Sequence, residues 1–251
     1  MKIAISSIIK NRQWVIQDFL DKIIEIEYNK KDIYLIFIDD FSIDNSLDIL
    51  YEFKDAYKEE YAEIIILQSD RFFDNNINSR VLKDRNKLYE HLSYLRNKVI
   101  DVCKYLNVDY QFSIDSDILV SKDILNHLLS FNKDYIATII INDNHLLPKF
   151  DYVNLKNRYI NASLDLISVP IHFKNYELNK LYKVAMSGAC YLISKNIFKY
   201  QFENHKFGED SGYCLNIQED KYLETTIKAI HVMEERYLED GLKAFEEYFN
   251  G

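Results

Sequence analysis

Glycine and proline are scarce in this chain, at five and two in 251 residues. That excludes collagen-like, linker-rich and low-complexity architectures, which need those residues in quantity. Cysteine is scarce as well. Cys103, Cys190 and Cys214 lie far apart and form no CxxC pair, so neither a zinc ribbon nor a disulfide framework is expected, and a reducing, cytoplasmic setting fits. No apolar stretch reaches the roughly 18 residues of a membrane span. The opening apolar run stops at Lys10 without a small-residue cleavage site, so it reads as a buried strand and not as a leader. Positive charge is in deficit: 31 Lys and Arg stand against 40 Asp and Glu, a formal charge of −9. Nucleic acid or an anionic membrane as main partner would demand clustered basic residues. A small phosphorylated ligand stays compatible, because a bound cation can carry the neutralising charge.

What is present is an alternation of strand-like and helix-like segments. KIAISSII, IYLIFI and IIIL are short Ile-rich runs suited to strands covered on both faces. Between them, Val15, Phe19, Ile23 and Ile26, and then Leu47, Leu50 and Phe53, recur near helical spacing; Ser42 and Asp44 can cap the second helix. Residues 69–84 read as a polar loop. A long helix follows, with Leu88, Leu92, Leu95, Val99, Val102 and Leu106 on one face, and then a strand at Tyr110–Ile114. The second half adds a strand at 135–141, a strand interrupted near Ser187-Gly188, a short helix from Ser194, a helix opened by Glu209-Asp210, a strand ending at His231, and an amphipathic closing helix carrying Leu238, Leu242, Phe245 and Phe249. Residues 142–180 admit no assignment. The alternation predicts one α/β domain over 1–251 with a mostly parallel central sheet flanked by helices. Residues 1–120 form its nucleotide-binding half and 121–251 its acceptor-binding, catalytic half. Ligands of such sheets sit at the carboxyl ends of the strands, where Asp39-Asp40 and Asp115-Ser116-Asp117 both fall.

Asp115 and Asp117 directly follow a hydrophobic strand. Alternation along extended backbone would put both carboxylates on one side. Two converging carboxylates repel unless a cation joins them, and Mg2+ or Mn2+ suits one or two carboxylates shared with phosphate oxygens and water.

Five segments in order carry a resemblance. SSIIKNR at 6–12, IDDFSIDNS at 38–46, YLRN at 94–97, the DSD turn, and GEDSGYCLNIQ at 208–218 followed by His231 resemble the motifs of family 2 glycosyltransferases. The Arg-Asn and DxD arrangement is also similar to Anp1-type mannosyltransferases. Lys10 stands where that family usually has Tyr, and Phe41 where it usually has Gly. The resemblance implies a GT-A-type nucleotide-diphospho-sugar transferase fold and a metal-dependent transfer of a hexosyl group from a nucleotide-sugar donor to a glycan, lipid-linked or protein hydroxyl. It implies that Asn11, Arg12, Asp39, Asp40, Arg96, Asp115, Ser187 and Gly188 bind the nucleotide sugar, with Asp39 or Asp40 taking the base, Arg96 the diphosphate, and Ser187-Gly188 bringing backbone close to the sugar. Asp115, Asp117 and His231 would hold the metal, and the imidazole favours Mn2+ over Mg2+. Asp210, with Glu209 beside it, would be the catalytic base of an inverting displacement. Two other readings compete. Nucleotidyl transfer is disfavoured because SSIIKNRQW lacks glycine for a triphosphate loop. A non-catalytic sugar-nucleotide or glycan-binding protein is disfavoured by the presence of both Asp117 and Asp210.

Overall fold

The computed structural model describes residues 1–71, 82–142, 162–163 and 177–249. Four strands open the sheet: β1 (Ile3–Ile9), β2 (Ile33–Asp39), β3 (Glu63–Gln68) and β4 (Tyr110–Ile114). They lie in the order β3-β2-β1-β4 and are parallel throughout. Five more strands extend it: β5 (Ile118–Val120), β6 (Tyr135–Asn142), β8 (Leu181–Val184), β10 (Cys190–Ser194) and β11 (Lys221–His231). A separate two-stranded ladder pairs β7 (Ala162–Ser163) with β9 (Met186–Ser187). In the large sheet β10 lies antiparallel between β4 and β6, and β11 runs parallel to β6. Strands β1, β2, β3, β4, β6 and β11 therefore all point one way, and their carboxyl ends share one edge. The exceptions are β5, β8 and β10, and the sheet is mostly parallel as predicted.

The Ile-rich runs form strands because both faces are covered. Ile3, Ile5, Ile9, Leu35 and Phe37 face one core, packed with Phe19 and Leu20 of α1 (Ile16–Ile24) and Leu50 of α2 (Ser46–Tyr57), and with Ile124 and Leu128 of α4 (Ile124–Ser130). The alternate residues Ala4, Ile36 and Ile38 face the opposite core, with Leu95 and Val99 of α3 (Leu82–Leu106) and Tyr213 of α5 (Glu209–Asn216). The period of two along each strand is what divides one sequence run between two helical layers. The closing helix α6 (Leu238–Phe249) covers the far edge, where Ala244 and Phe245 pack on Leu119, Ile230 and Val232.

The predicted stripe of α3 holds at Leu95 and Val99 and shifts elsewhere. His91, Leu95, Val99 and Cys103 are buried at four-residue spacing, together with Arg96 and Ile100, whereas Leu88, Leu92, Val102 and Leu106 are only partly covered. Two polar side chains thus belong to the inward face. The strand broken at Ser187-Gly188 is real: β9 ends at Ser187 and β10 begins at Cys190. The helix at Ser194 is a single 3-10 turn, with the Ser194 hydroxyl accepting from the Asn196 N–H at 3.2 Å. The α2 start falls at Ser46 with Asn45 as its N-cap, which makes no side-chain cap bond; Asp44, one residue earlier than a cap, accepts from the Ser46 N–H at 3.0 Å, and Ser42 serves the neighbouring loop. The three cysteines are free and buried. Of the predicted polar loop at 69–84, residues 69–71 are described, 72–81 lie outside the described residues, and 82–84 already form the first turn of α3; residues 143–161 and 164–176 also lie outside the described residues.

Candidate active site

The carboxyl edge is assembled by loops that bond to one another. After β1, the Asn11 N–H donates to Ser42 Oγ at 3.0 Å, the Arg12 N–H to Ser46 Oγ at 2.7 Å and the Gln13 N–H to Asp44 Oδ2 at 3.0 Å. In return Asn11 Oδ1 accepts from the Ile43 N–H at 2.8 Å. Asn11 therefore ties two loops together, while the Arg12 side chain reaches across to Asp117.

Asp39 and Asp40, equivalent by sequence, are distinguished by their partners. Asp40 is buried, with Oδ1 2.8 Å from His91 Nε2 and Oδ2 2.8 Å from Lys10 Nζ. Burial pushes the Asp40 carboxyl up, but His91 and Lys10 outweigh it and hold it below the usual range. Asp39 is equally buried and has much less. Its Oδ2 accepts from the Ser42 N–H at 3.3 Å, and its buried Oδ1 has no hydrogen-bond partner among the described residues. Burial raises the Asp39 carboxyl, with Ser42 opposing. A buried unsatisfied acceptor is costly.

The DSD segment is a turn, not extended backbone. The Ile118 N–H donates to the Asp115 carbonyl at 3.0 Å, so strand alternation is not what orients the two carboxylates. Asp117 is buried and pairs with Arg12 Nη2 at 3.0 Å and His231 Nε2 at 3.1 Å. Burial raises its carboxyl, but His231 and Arg12 outweigh it and lower it. The pairing of β5 with β11 brings His231 opposite Ile118, and the Val232 N–H donates to the Asp117 carbonyl at 2.8 Å. Asp115, whose side chain is 37% exposed, turns instead to Arg96 Nη2 at 3.0 Å. Asp117 and His231 thus meet, while Asp115 faces a different cation; among the described residues no three His, Cys, Asp or Glu side chains converge as a metal-binding group.

Arg96 is the hub. Its Nε lies 2.9 Å from Glu209 Oε1 and 3.4 Å from Asp210 Oδ1, and its Nη1 donates to Ser113 Oγ at 3.2 Å. One buried guanidinium so gathers three carboxylates from β4's turn and the start of α5. Glu209 is spent on this contact and is buried. Asp210 keeps about a fifth of its side chain exposed, at 21%. Burial pushes the Asp210 carboxyl up to about 7; Arg96 opposes, and the carboxylates of Glu209 and Asp115 add to the rise.

The Gly188-Ala189 corner links this acid to the DSD turn. Ala189, with φ +66°, donates its N–H to Asp210 Oδ2 at 3.2 Å and accepts at its carbonyl from the Asp115 N–H at 3.0 Å. A Cβ on Gly188 would fall 2.1 Å from Asp210 Oδ2. Glycine is thus needed here to admit the carboxylate. Ser187 is buried, and its carbonyl accepts from Tyr135 Oη at 2.8 Å.

Sequence reasoning missed His91, Lys10, Tyr191 and Asn97. Asn97 clamps the segment before α5, donating to the Phe202 carbonyl at 2.9 Å and accepting from its N–H at 2.8 Å. Tyr191 Oη lies 3.5 Å from Asp210 Oδ1. The four-residue spacing of His91 with Leu95, Val99 and Cys103 was the one signal that could have placed His91 inside.

The poly(ribitol-phosphate) beta-glucosyltransferase of Bacillus spizizenii is 25% identical over 222 residues, which covers 86% of this chain and 29% of that enzyme, so the chain spans under a third of its relative's length. Staphylococcus aureus TarS 1-349, solved in complex with UDP-GlcNAc, superposes with a TM-score of 0.56 at 15% identity over 93% of this chain and 59% of that one. The mannosyltransferase PcManGT of Pyrobaculum calidifontis, solved with GDP-Man and Mn2+, gives 0.54 at 10% identity over 94% and 58%. At these identities the structures establish the fold, which is GT-A. The family model described as glycosyltransferase family 25, N-terminal domain, matches residues 1–223, and the chain belongs to that family of glycosyltransferases.

Proposed function

We propose that this glycosyltransferase moves a hexosyl group from a UDP-sugar to a hydroxyl acceptor by a single inverting displacement. The observation that carries the reading is Asp210: a partly exposed carboxylate at the carboxyl edge, next to the DSD turn, with its pKa raised to about 7. A general base works best when its pKa lies near the working pH. The acceptor oxygen attacks the anomeric carbon as its proton passes to Asp210, and the bond from that carbon to the diphosphate oxygen breaks on the opposite face. Charge develops on the departing diphosphate, and Arg12, one-third exposed at its side chain, is the cation placed to face it. Arg96 positions Asp210 and Asp115.

Uridine is favoured by Asp39. Its one unpartnered oxygen matches the single imide N–H of uracil, whereas guanine presents two adjacent donors that would need both oxygens. The UDP-GlcNAc complex of TarS supports the same choice. Fit to a divalent cation rests on the donor set. Asp117 with His231 against it, and the exposed side of Asp115, offer oxygen and imidazole ligands of the kind Mn2+ accepts; Arg12 would have to yield its place on Asp117. Bound there, the ion would neutralise charge on the leaving diphosphate. The Mn2+ of PcManGT supports this assignment.

The test is calorimetric titration of UDP-glucose, UDP-GlcNAc and GDP-mannose, with Mn2+ and with EDTA, followed by transfer assays with the donor that binds. A UDP-sugar is expected to bind best, and Asp39→Asn to weaken it about tenfold, the difference between a charged and a neutral acceptor. Failure to bind any nucleotide sugar overturns the reading. Asp117→Asn and EDTA should each weaken donor binding; if neither does, the metal assignment falls and the transfer reading stands.

Gly188→Ala gives a second check. The added methyl must displace the Asp210 carboxylate. Turnover should fall at least tenfold, with donor affinity nearly kept and a stability loss of roughly 1–3 kcal/mol, the usual cost of overpacking. Unchanged turnover and melting temperature would show that Asp210 does not need its position.

A further inference from the structure

Phe41 holds a backbone conformation that stability alone would assign to glycine. Its φ is +53°, in the left-handed region that is unfavourable for a bulky L-residue and open to glycine. The loop cannot relax it. On one side the Asp40 N–H donates to the Ile9 carbonyl at 2.8 Å, and on the other the Ser42 N–H donates to Asp39 Oδ2 and the Ile43 N–H to Asn11 Oδ1 at 2.8 Å. Strain held in place by its surroundings is a mark of functional loops, where it fixes a side chain in a working position.

The side chain so fixed is an aromatic ring, 38% exposed, at the carboxyl edge of the sheet. It lies two residues from Asp39, in a turn that folds back so that Ser42 bonds the Asp39 carboxylate. Asp39 Oδ1 is buried and has no hydrogen-bond partner among the described residues. An unpartnered acceptor and an aromatic ring two residues apart on one loop are the two elements that recognise a planar heterocycle carrying an N–H: one reads its edge, the other stacks on its face.

We infer that Phe41 is the stacking residue of the donor site and packs its ring on the nucleobase whose N–H Asp39 accepts. This rests on the assignment of Asp39 to the base. Stacking depends on the π face and tolerates any base, so Phe41 contributes affinity for nucleotides in general while Asp39 discriminates among them.

The experiment uses UDP and ribose 5-phosphate as probes on the whole chain, with Asp39→Asn as control. Phe41→Leu keeps apolar bulk and the same backbone demand but removes the π face. UDP affinity should fall roughly tenfold, within the range measured when stacked aromatics are removed, while ribose 5-phosphate, which has no base, binds as to the parent. The F41W variant should keep UDP affinity, and its added fluorescence should be quenched by UDP and not by ribose 5-phosphate. If F41L binds UDP like the parent while D39N is weakened, the stacking role is wrong and the base assignment stands. If D39N also binds UDP normally, the base lies elsewhere and both fall. Equal losses for UDP and ribose 5-phosphate in F41L would mean a disturbed loop and would overturn the inference.

Discussion

Asp210→Asn is expected to lower transfer by roughly 10²–10⁴, the usual worth of a general base, while donor affinity stays within a few-fold of the parent. Asparagine keeps the shape of the side chain and can still accept from the Ala189 N–H, which Asp210 Oδ2 does at 3.2 Å. What it loses is the ability to take a proton. The pH dependence follows from the sign of the shift. Burial raises the Asp210 carboxyl to about 7, and the base works only when deprotonated. Turnover of the parent should therefore climb about tenfold per pH unit below that value and level off above it. The variant should lose this limb and stay uniformly slow. Single-turnover transfer at saturating donor, measured from pH 5.5 to 8.5, gives both results. Normal turnover in D210N with a slow E209Q would move the base by one residue. Normal turnover in both would remove the base from this helix. Glu209 is the weaker candidate because it is buried against Arg96 at 2.9 Å.

The strands were readable because each buried Ile-rich run is short and bounded, and local burial on both faces has a local signature. β1, β2 and β4 fall within a residue of their expected ends, and the carboxyl edge follows from their common direction. Strand direction put Asp39-Asp40 and Asp115–Asp117 at that edge, and the order of motifs singled out Arg96, Asp210 and His231. What stayed hidden depends on contacts between distant segments. Arg96 meets Ser113, Asp115 and Glu209, 17, 19 and 113 residues away, and no spacing encodes such a meeting. The inward face of α3 was read correctly at Leu95 and Val99 and missed at His91 and Arg96 for the same reason: a search for apolar residues favours Leu88 and Leu92 over these two, whose burial is stabilised by carboxylates on other elements. Asp39 and Asp40 could not be ranked, since His91 and Lys10, which occupy Asp40, come from elsewhere in the chain. Gly188 was expected to make room for a donor sugar; the space it leaves is filled by Asp210. The DSD turn shows the limit of local rules most directly. Alternation presumes extended backbone, and the bond from Ile118 N–H to the Asp115 carbonyl replaces that with a turn.

The largest loss of stability is expected from Arg96→Met. Methionine fills comparable apolar volume but leaves Glu209 buried, and Asp210 largely covered beside it, without their cation, and breaking a buried pair on one side costs about 3–5 kcal/mol. Asp115, with its side chain 37% exposed, can turn to solvent and adds less. For a chain of this size the melting temperature should drop by roughly 10 °C near neutral pH. The sign of the pH dependence separates this from simple cavity formation. Arg96 opposes the rise that burial imposes on the Asp210 carboxyl; without it that carboxyl moves further above its unfolded value, so the folded state binds more protons than the unfolded one. Its stability then falls as pH rises. The gap between parent and variant should be widest around pH 8 and shrink toward pH 5, as protonation removes the buried charges. Arg96→Lys should recover part of the stability but not the fork that reaches Asp115, Glu209 and Ser113 together, so turnover should stay low in it. Thermal melts of parent, R96M and R96K across pH 5–8 measure this. A gap that is small, or equally large at every pH, would mean that Arg96 contributes packing alone and that the three carboxylates are held by something else.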